Sequence, residues 1–220
     1  MLNYVITEEK MSNLSFEINQ SAIQLIRDPN VKYPIGTGFC FIRPDWIATA
    51  KHVVILHGIP RQNLEVVFTD GISRRAEVYA WHPEIDIAIL RLLDPGLCKI
   101  PLFPAYVRFT GKQGLISAGY KPSSSQKDER LFSIVVNCVE TWEIEHRSRI
   151  NSEEEIIIFP SDIEQGHSGG PLFGQGGGVV GIVIEIFEQE GKSYARGTSI
   201  LSLLDGIEIQ RDWQNDIINS

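Results

Sequence analysis

Short apolar stretches, each cut off by turn residues, recur along most of the chain. Gly38 to Ile42, Leu64 to Thr69, Arg75 to Trp81 and Ile87 to Leu92 are rich in β-branched and aromatic residues, the composition of strands. Arg43-Pro44-Asp45, Asp70-Gly71 and Asp94-Pro95-Gly96 punctuate them as turns. A connector follows near Pro95 to Lys112. The pattern then restarts with Gly114 to Gly119, Leu131 to Thr141, Glu155 to Phe159, Leu172-Phe173, Gly178 to Phe187 and Ser193 to Leu201. From Ser202 to Ile218 the character changes. Ile207, Ile209, Trp213 and Ile217 interleave with charges as in an amphipathic terminal helix, with Gly206 weakening its start.

The sum is roughly six strands, a connector, roughly six more strands and a helix. Regular short strands with turn punctuation suit an all-β barrel or sandwich better than βαβ units. The polar run Lys121 to Arg130 reads as a surface loop, and Gly176-Gly177-Gly178 as a tight hairpin, since no Lys-Ser/Thr follows it.

Composition narrows the function. With 220 residues, 43% hydrophobic and 22% charged, the chain is an ordinary globular protein. A net charge of −8 argues against a nucleic-acid partner, and Arg74-Arg75 and Arg147 to Arg149 are too short to change that. No apolar run approaches the ~18 residues of a membrane span. Cys40, Cys98 and Cys138 are odd in number and lack a CxxC, so neither a disulfide framework nor a zinc site is expected. Nothing calls for a cofactor. The N-terminus shows no basic segment followed by an apolar one, so the expected location is the cytoplasm.

Three local patterns carry chemistry, in this order: Thr49-Ala50-Lys51-His52, Asp86-Ile87-Ala88-Ile89-Leu90 and Gly166-His167-Ser168-Gly169-Gly170-Pro171-Leu172. A serine hydroxyl needs an adjacent base to become a nucleophile, and the base needs a third group to orient it. His52, Asp86 and Ser168 fill those roles in the order His, Asp, Ser. Asp70 and Asp94 are rival carboxylates, but the apolar run after Asp86 favours it. Gly166 can take a backbone conformation closed to other residues, so that its N–H and that of Ser168 converge on a developing oxyanion. His57, His82 and His146 show no partner pattern and read as surface or satisfied histidines.

These motifs resemble those of trypsin/chymotrypsin-like serine peptidases over roughly residues 20–205. GHSGGPL is similar to the family's GDSGGPL, TAKHVV to its TAAHC and to the TNAHVV of the HtrA branch, and Gly36-Thr37-Gly38-Phe39 to its GSG-type strand. HPEIDIAILRL resembles the segment that carries the family's aspartate. The resemblance implies two six-stranded antiparallel β-barrels, about residues 20–100 and 110–205, with the site in the cleft between them and a terminal helix at 206–218. It implies a serine endopeptidase acting on a protein or peptide substrate.

Departures from the family pattern matter. His167 stands where zymogens of the trypsin kind keep an aspartate, so activation by a newly cut N-terminus is not expected. No cysteine directly follows His52, so the disulfide that braces the histidine loop in secreted members is not expected. A PDZ domain of the HtrA kind is likewise not expected. For specificity, the resemblance places Asp162 at the base of the primary pocket and Gln165 just before the oxyanion glycine, which favours Arg or Lys at the cleaved position. Ile184-Glu185-Ile186 stand where trypsin has Ser-Trp-Gly, so Ile186 narrows the pocket wall, and Glu185 is a candidate for a basic preference further along the substrate. The strand Gly181 to Ile186 is expected to pair with substrate backbone. Regulation by a partner protein is a further expectation. The alternative is a catalytically silent, protease-like module that binds peptides or proteins.

Overall fold

The computed structural model describes residues 20–94, 101–105, 114–122, 132–141, 143–148, 153–160, 166–174 and 176–201. The elements are almost all strands. β1 (Ile23–Arg27), β2 (Gly36–Cys40), β3 (Trp46–Thr49), β6 (Leu64–Val67), β7 (Ser73–Trp81) and β8 (Ala88–Leu92) close into a barrel in the order β1-β2-β3-β8-β7-β6. Between β3 and β6 lie the one-turn helix α1 (Lys51–Val54) and a small hairpin of β4 (Ile55–Leu56) and β5 (Ile59–Pro60).

Closure of this barrel follows from its residues. β2 and β3 are buried along their whole length, and Phe39, Phe41, Ile47 and Leu90 are among the buried core residues. The longer β7 keeps an outer face, with Ala76 and Ala80 buried and Glu77 and Trp81 exposed, the alternation of a strand covered on one side. Its turn from β6 is chemically specified: Gly71 sits at φ +83°, and the Asp70 carboxylate accepts from Ile72 N–H at 2.9 Å.

The second unit departs from expectation. β9 (Gly114–Pro122), β10 (Phe132–Glu140), β11 (Glu143–Ser148), β12 (Glu153–Pro160), β13 (Pro171–Phe173), β14 (Val179–Gln189) and β15 (Lys192–Ser199) form a seven-stranded sheet in the order β10-β9-β13-β14-β15-β12-β11. Among the described residues its outer strands β10 and β11 are not paired with each other, so closure into a second six-stranded barrel is not shown. The expected terminal helix lies outside the described residues.

Two details of this sheet shape the site. The β14–β15 hairpin turns on Glu190 and Gly191, both at positive φ (+51° and +71°), between the paired Gln189 and Lys192. Two positive-φ residues match the right-handed twist of the flanking strands. Further along, the pairing of β14 with β15 shifts between Val183 and Glu185, a bulge that re-aims the strand at Ile184.

One core runs through both units. Phe173, Val179, Ile182 and Ile116 pack in the same cluster as Phe39, Phe41 and Leu90. The connector adds backbone stitches: Leu102 N–H donates to Cys40 O at 2.8 Å, and Val179 N–H to Phe103 O at 3.0 Å. Cys40 is disulfide-bonded, which corrects the disulfide-free reading of the three cysteines.

Candidate active site

His52 is presented by α1, a helix of only four residues. Val53 and Val54 are buried beneath α1, and Val53 N–H donates to Ala50 O at 3.2 Å, so the turn is anchored from below. That leaves the imidazole facing outward, with half of its surface exposed.

Asp86 comes to it from a tight loop ahead of β8. Its neighbours Ile85 and Ile87 are wholly buried, and Ile87 N–H donates to Ile85 O at 2.9 Å across the aspartate. The carboxylate grips His52 twice: Oδ1 accepts from the His52 backbone N–H at 2.8 Å and Oδ2 lies 2.7 Å from Nδ1. An ionised carboxylate only accepts, so Nδ1 carries a proton, and in the neutral ring the lone pair is then on Nε2. Asp70 and Asp94 are not part of this arrangement.

Two residues that sequence reasoning did not assign build the Asp86 loop. Lys51 Nζ donates to the carbonyls of His82 and Pro83, both at 3.0 Å. His82 is buried, and its Nδ1 accepts from the N–H groups of Glu84 (3.1 Å) and Ile85 (2.9 Å). His82 is therefore a structural histidine with Nδ1 unprotonated, and not a surface one.

The serine loop, residues 166–170, is pinned to both units. Gly166 adopts φ +108° and Gly169 φ +88°, conformations that favour glycine. His167 O accepts from Gly170 N–H at 2.8 Å. That bond orients the His167–Ser168 peptide and hence the Ser168 N–H, for which no acceptor is found among the described residues. Gly169 N–H donates to Val183 O at 2.7 Å, and Val183 N–H to Gly170 O at 2.9 Å, fixing the loop to β14. On the barrel side, Thr37 N–H donates to Ser168 O at 2.8 Å. A Cβ on Gly169 would strike Thr37 O and the Thr49 hydroxyl, so the serine loop lies directly against the strand end that leads into His52. His167 is buried, with its ring against Gly119.

Of the specificity residues, Asp162 and Gln165 lie outside the described residues. Glu185 is in an ion pair with Arg196 across β14 and β15, Nη1 to Oε2 at 2.7 Å. The Arg196 guanidinium also sits 4.0 Å from the centre of the Phe187 ring. Ile186 is half-buried and packs against the cluster of Leu115, Ile157, Phe159 and Ala195, while Ile184 packs against Ile156, Ile158 and Tyr194. The strand expected to meet substrate is partly occupied. Gly181 and Ile182 pair with Leu172 and Pro171, and Val183 pairs with the serine loop. Among the described residues, β14 is open on that side only from Ile184 onward. Among the described residues no group of three potential metal ligands gathers, and no helix there is long and apolar enough to cross a membrane.

Known structures share this architecture. An inactive mutant form of Rv3671c from M. tuberculosis H37Rv superposes with a TM-score of 0.68 at 21% identity, covering 93% of this chain and 94% of that one. The active form of the same protease gives 0.67 at 24% identity, covering 87% and 83%. The MamO protease domain from Magnetospirillum magneticum gives 0.64 at 16% identity, covering 84% and 95%. At these identities the likeness is one of fold. A search of curated proteins found no match. The model of the trypsin-like peptidase domain matches residues 36–182, more than half of the chain and a span that includes His52, Asp86 and Ser168. With barrel, motif order and family model in agreement, the chain belongs to the trypsin-like peptidase domain family.

Proposed function

We propose that the protein is a serine endopeptidase that cleaves protein or peptide substrates through an acyl-enzyme. The observation that carries this reading is the double grip of Asp86 on His52, which leaves Nε2 as the only basic nitrogen of the ring. Ser168 Oγ attacks the scissile carbonyl while His52 Nε2 takes its proton and later returns it to the leaving amine. Asp86 stabilises the imidazolium without itself being protonated. The Ser168 N–H, together with that of Gly166, donates to the oxyanion of the tetrahedral intermediate.

Substrate backbone adds to β14 from Ile184 onward, an edge-strand mode of recognition. A preference for Arg or Lys rests on Asp162. Glu185 contributes less than its charge suggests, because Arg196 already partners it. Control by a partner protein is part of the proposal, supported by His167 in place of the zymogen aspartate.

The test is cleavage of a diverse peptide library by the purified protein and by Ser168→Ala. Cleavage by the wild type alone, with basic residues enriched before the cut, is the expected result. Equal cleavage by both proteins would rule out Ser168 chemistry. Cleavage without basic enrichment would remove the Asp162 role.

A further inference from the structure

Thr37 sits where four parts of the molecule meet, and it is wholly buried. Its backbone N–H donates to Ser168 O at 2.8 Å, and its carbonyl accepts from the Thr49 hydroxyl at 2.8 Å, three residues ahead of His52. Its side chain uses both capacities of a hydroxyl. Oγ1 donates to Gly166 O at 2.6 Å and accepts from Tyr120 N–H at 2.9 Å. One residue thus joins the barrel, the second sheet, the serine loop and the histidine side of the site.

The flanking glycines explain how it gets there. A Cβ on Gly36 would lie 2.8 Å from the Val53 side chain and 2.9 Å from Ser168 O, and one on Gly38 would meet the side chains of Ile47 and Ile26. β2 approaches the serine loop this closely because residue 36 has no side chain, while Gly38 lets the barrel close around the same strand. The backbone bonds of Thr37 would survive substitution at that position. Its hydroxyl bonds would not.

We propose that Thr37 is a positioning residue for catalysis, its hydroxyl holding the Gly166 carbonyl so that the oxyanion-binding N–H groups keep their direction. The inference rests on the peptidase reading above. Gly166, at φ +108°, has no side chain to restrict it, so its ψ is set by what holds its carbonyl. Turning that carbonyl would swing the Gly166–His167 peptide and misdirect the neighbouring donors. Small misplacements of such groups have large effects on rate. Because Tyr120 N–H holds the same oxygen from the opposite side, the hydroxyl cannot rotate freely, and the second sheet helps set the loop.

The experiment compares second-order rates of labelling by a fluorophosphonate probe for wild type, Thr37→Val and Thr37→Ser, with thermal unfolding of each. Thr37→Val, which keeps shape and loses the hydroxyl, should label about 10- to 100-fold more slowly. The pH midpoint of labelling should not move, because His52 and Asp86 are untouched. Thr37→Ser should restore the rate to within about threefold of wild type, since it keeps both hydrogen bonds. A folded Thr37→Val that labels as fast as wild type overturns the inference, as does a Thr37→Ser as slow as the valine variant. If Thr37→Val fails to fold, Thr37→Ser decides: a rate near wild type upholds the hydroxyl's role, and a tenfold loss or more overturns it. An unlabelled wild type is a different outcome, because it removes the peptidase reading and this inference with it.

Discussion

Asp86 bonds His52 through both of its oxygens, one to the backbone N–H at 2.8 Å and one to Nδ1 at 2.7 Å. The first bond fixes where α1 begins relative to the Asp86 loop. The second fixes the tautomer of the ring. A single side chain thereby sets both the position and the proton of the base, and it does so across 34 residues of sequence.

Replacing Asp86 by Asn keeps the size and loses the acceptor-only character. The amide can donate to Nδ1, which moves the ring proton to Nε2 and removes the base. In the best-studied triad of this kind the equivalent change lowers kcat by ~10⁴, and a fall of about that order is expected here. Thermal unfolding should shift little by comparison. Steady-state kinetics on a cleaved peptide, with an unfolding scan beside it, checks both statements.

Gly169 is the least replaceable residue of the serine loop. Its φ of +88° disfavours any L side chain, and a Cβ would strike Thr37 O and the Thr49 hydroxyl. Gly169→Ala should destabilise the fold by at least about 2 kcal/mol and also displace Ser168 from its place beside β2. Denaturant unfolding of the variant measures the first effect, and probe labelling of its folded fraction the second.

Burial pushes the Tyr120 phenol up from 10.0 to about 12. A folded pKa above the unfolded one means that the folded state keeps its proton longer. The stabilisation is therefore complete below pH 10 and is lost as pH rises from 10 toward 12. Wild-type unfolding free energy should decline over that window, and Tyr120→Phe should show a smaller decline. Urea titrations at pH 9 and at pH 11 suffice.

How much of this was legible in the sequence differs by element. β12 announces itself, since Ile156 to Phe159 are all buried and form a continuous apolar run. β11 does not: Glu143–Ser148 is mostly polar and is a strand because it pairs in register with β12. β1 and β3, with five and four residues, are too short for a periodic signal and take their place from barrel closure. The strand order of the second sheet is likewise a matter of which strands meet, which no local pattern encodes.

The site divides in the same way. His52, Asp86 and Ser168 were readable because their chemistry demands those residue types in a known order. Thr37, Lys51 and His82 were not, because their roles are made by bonds to distant backbone groups. Thr37 reaches Gly166 across 129 residues and Tyr120 across 83. A threonine between two glycines gives no sign of that. His82 carried no partner pattern because its partners are the backbone N–H groups of Glu84 and Ile85.

The proposed chemistry centres on Ser168 as a nucleophile activated by His52. The most direct measurement is to treat the purified protein with a fluorophosphonate, digest it and locate the adduct by mass spectrometry. A single adduct on Ser168, absent from Ser168→Ala and strongly reduced in His52→Ala, is the predicted result. An adduct elsewhere, or undiminished labelling of the His52 variant, would contradict it.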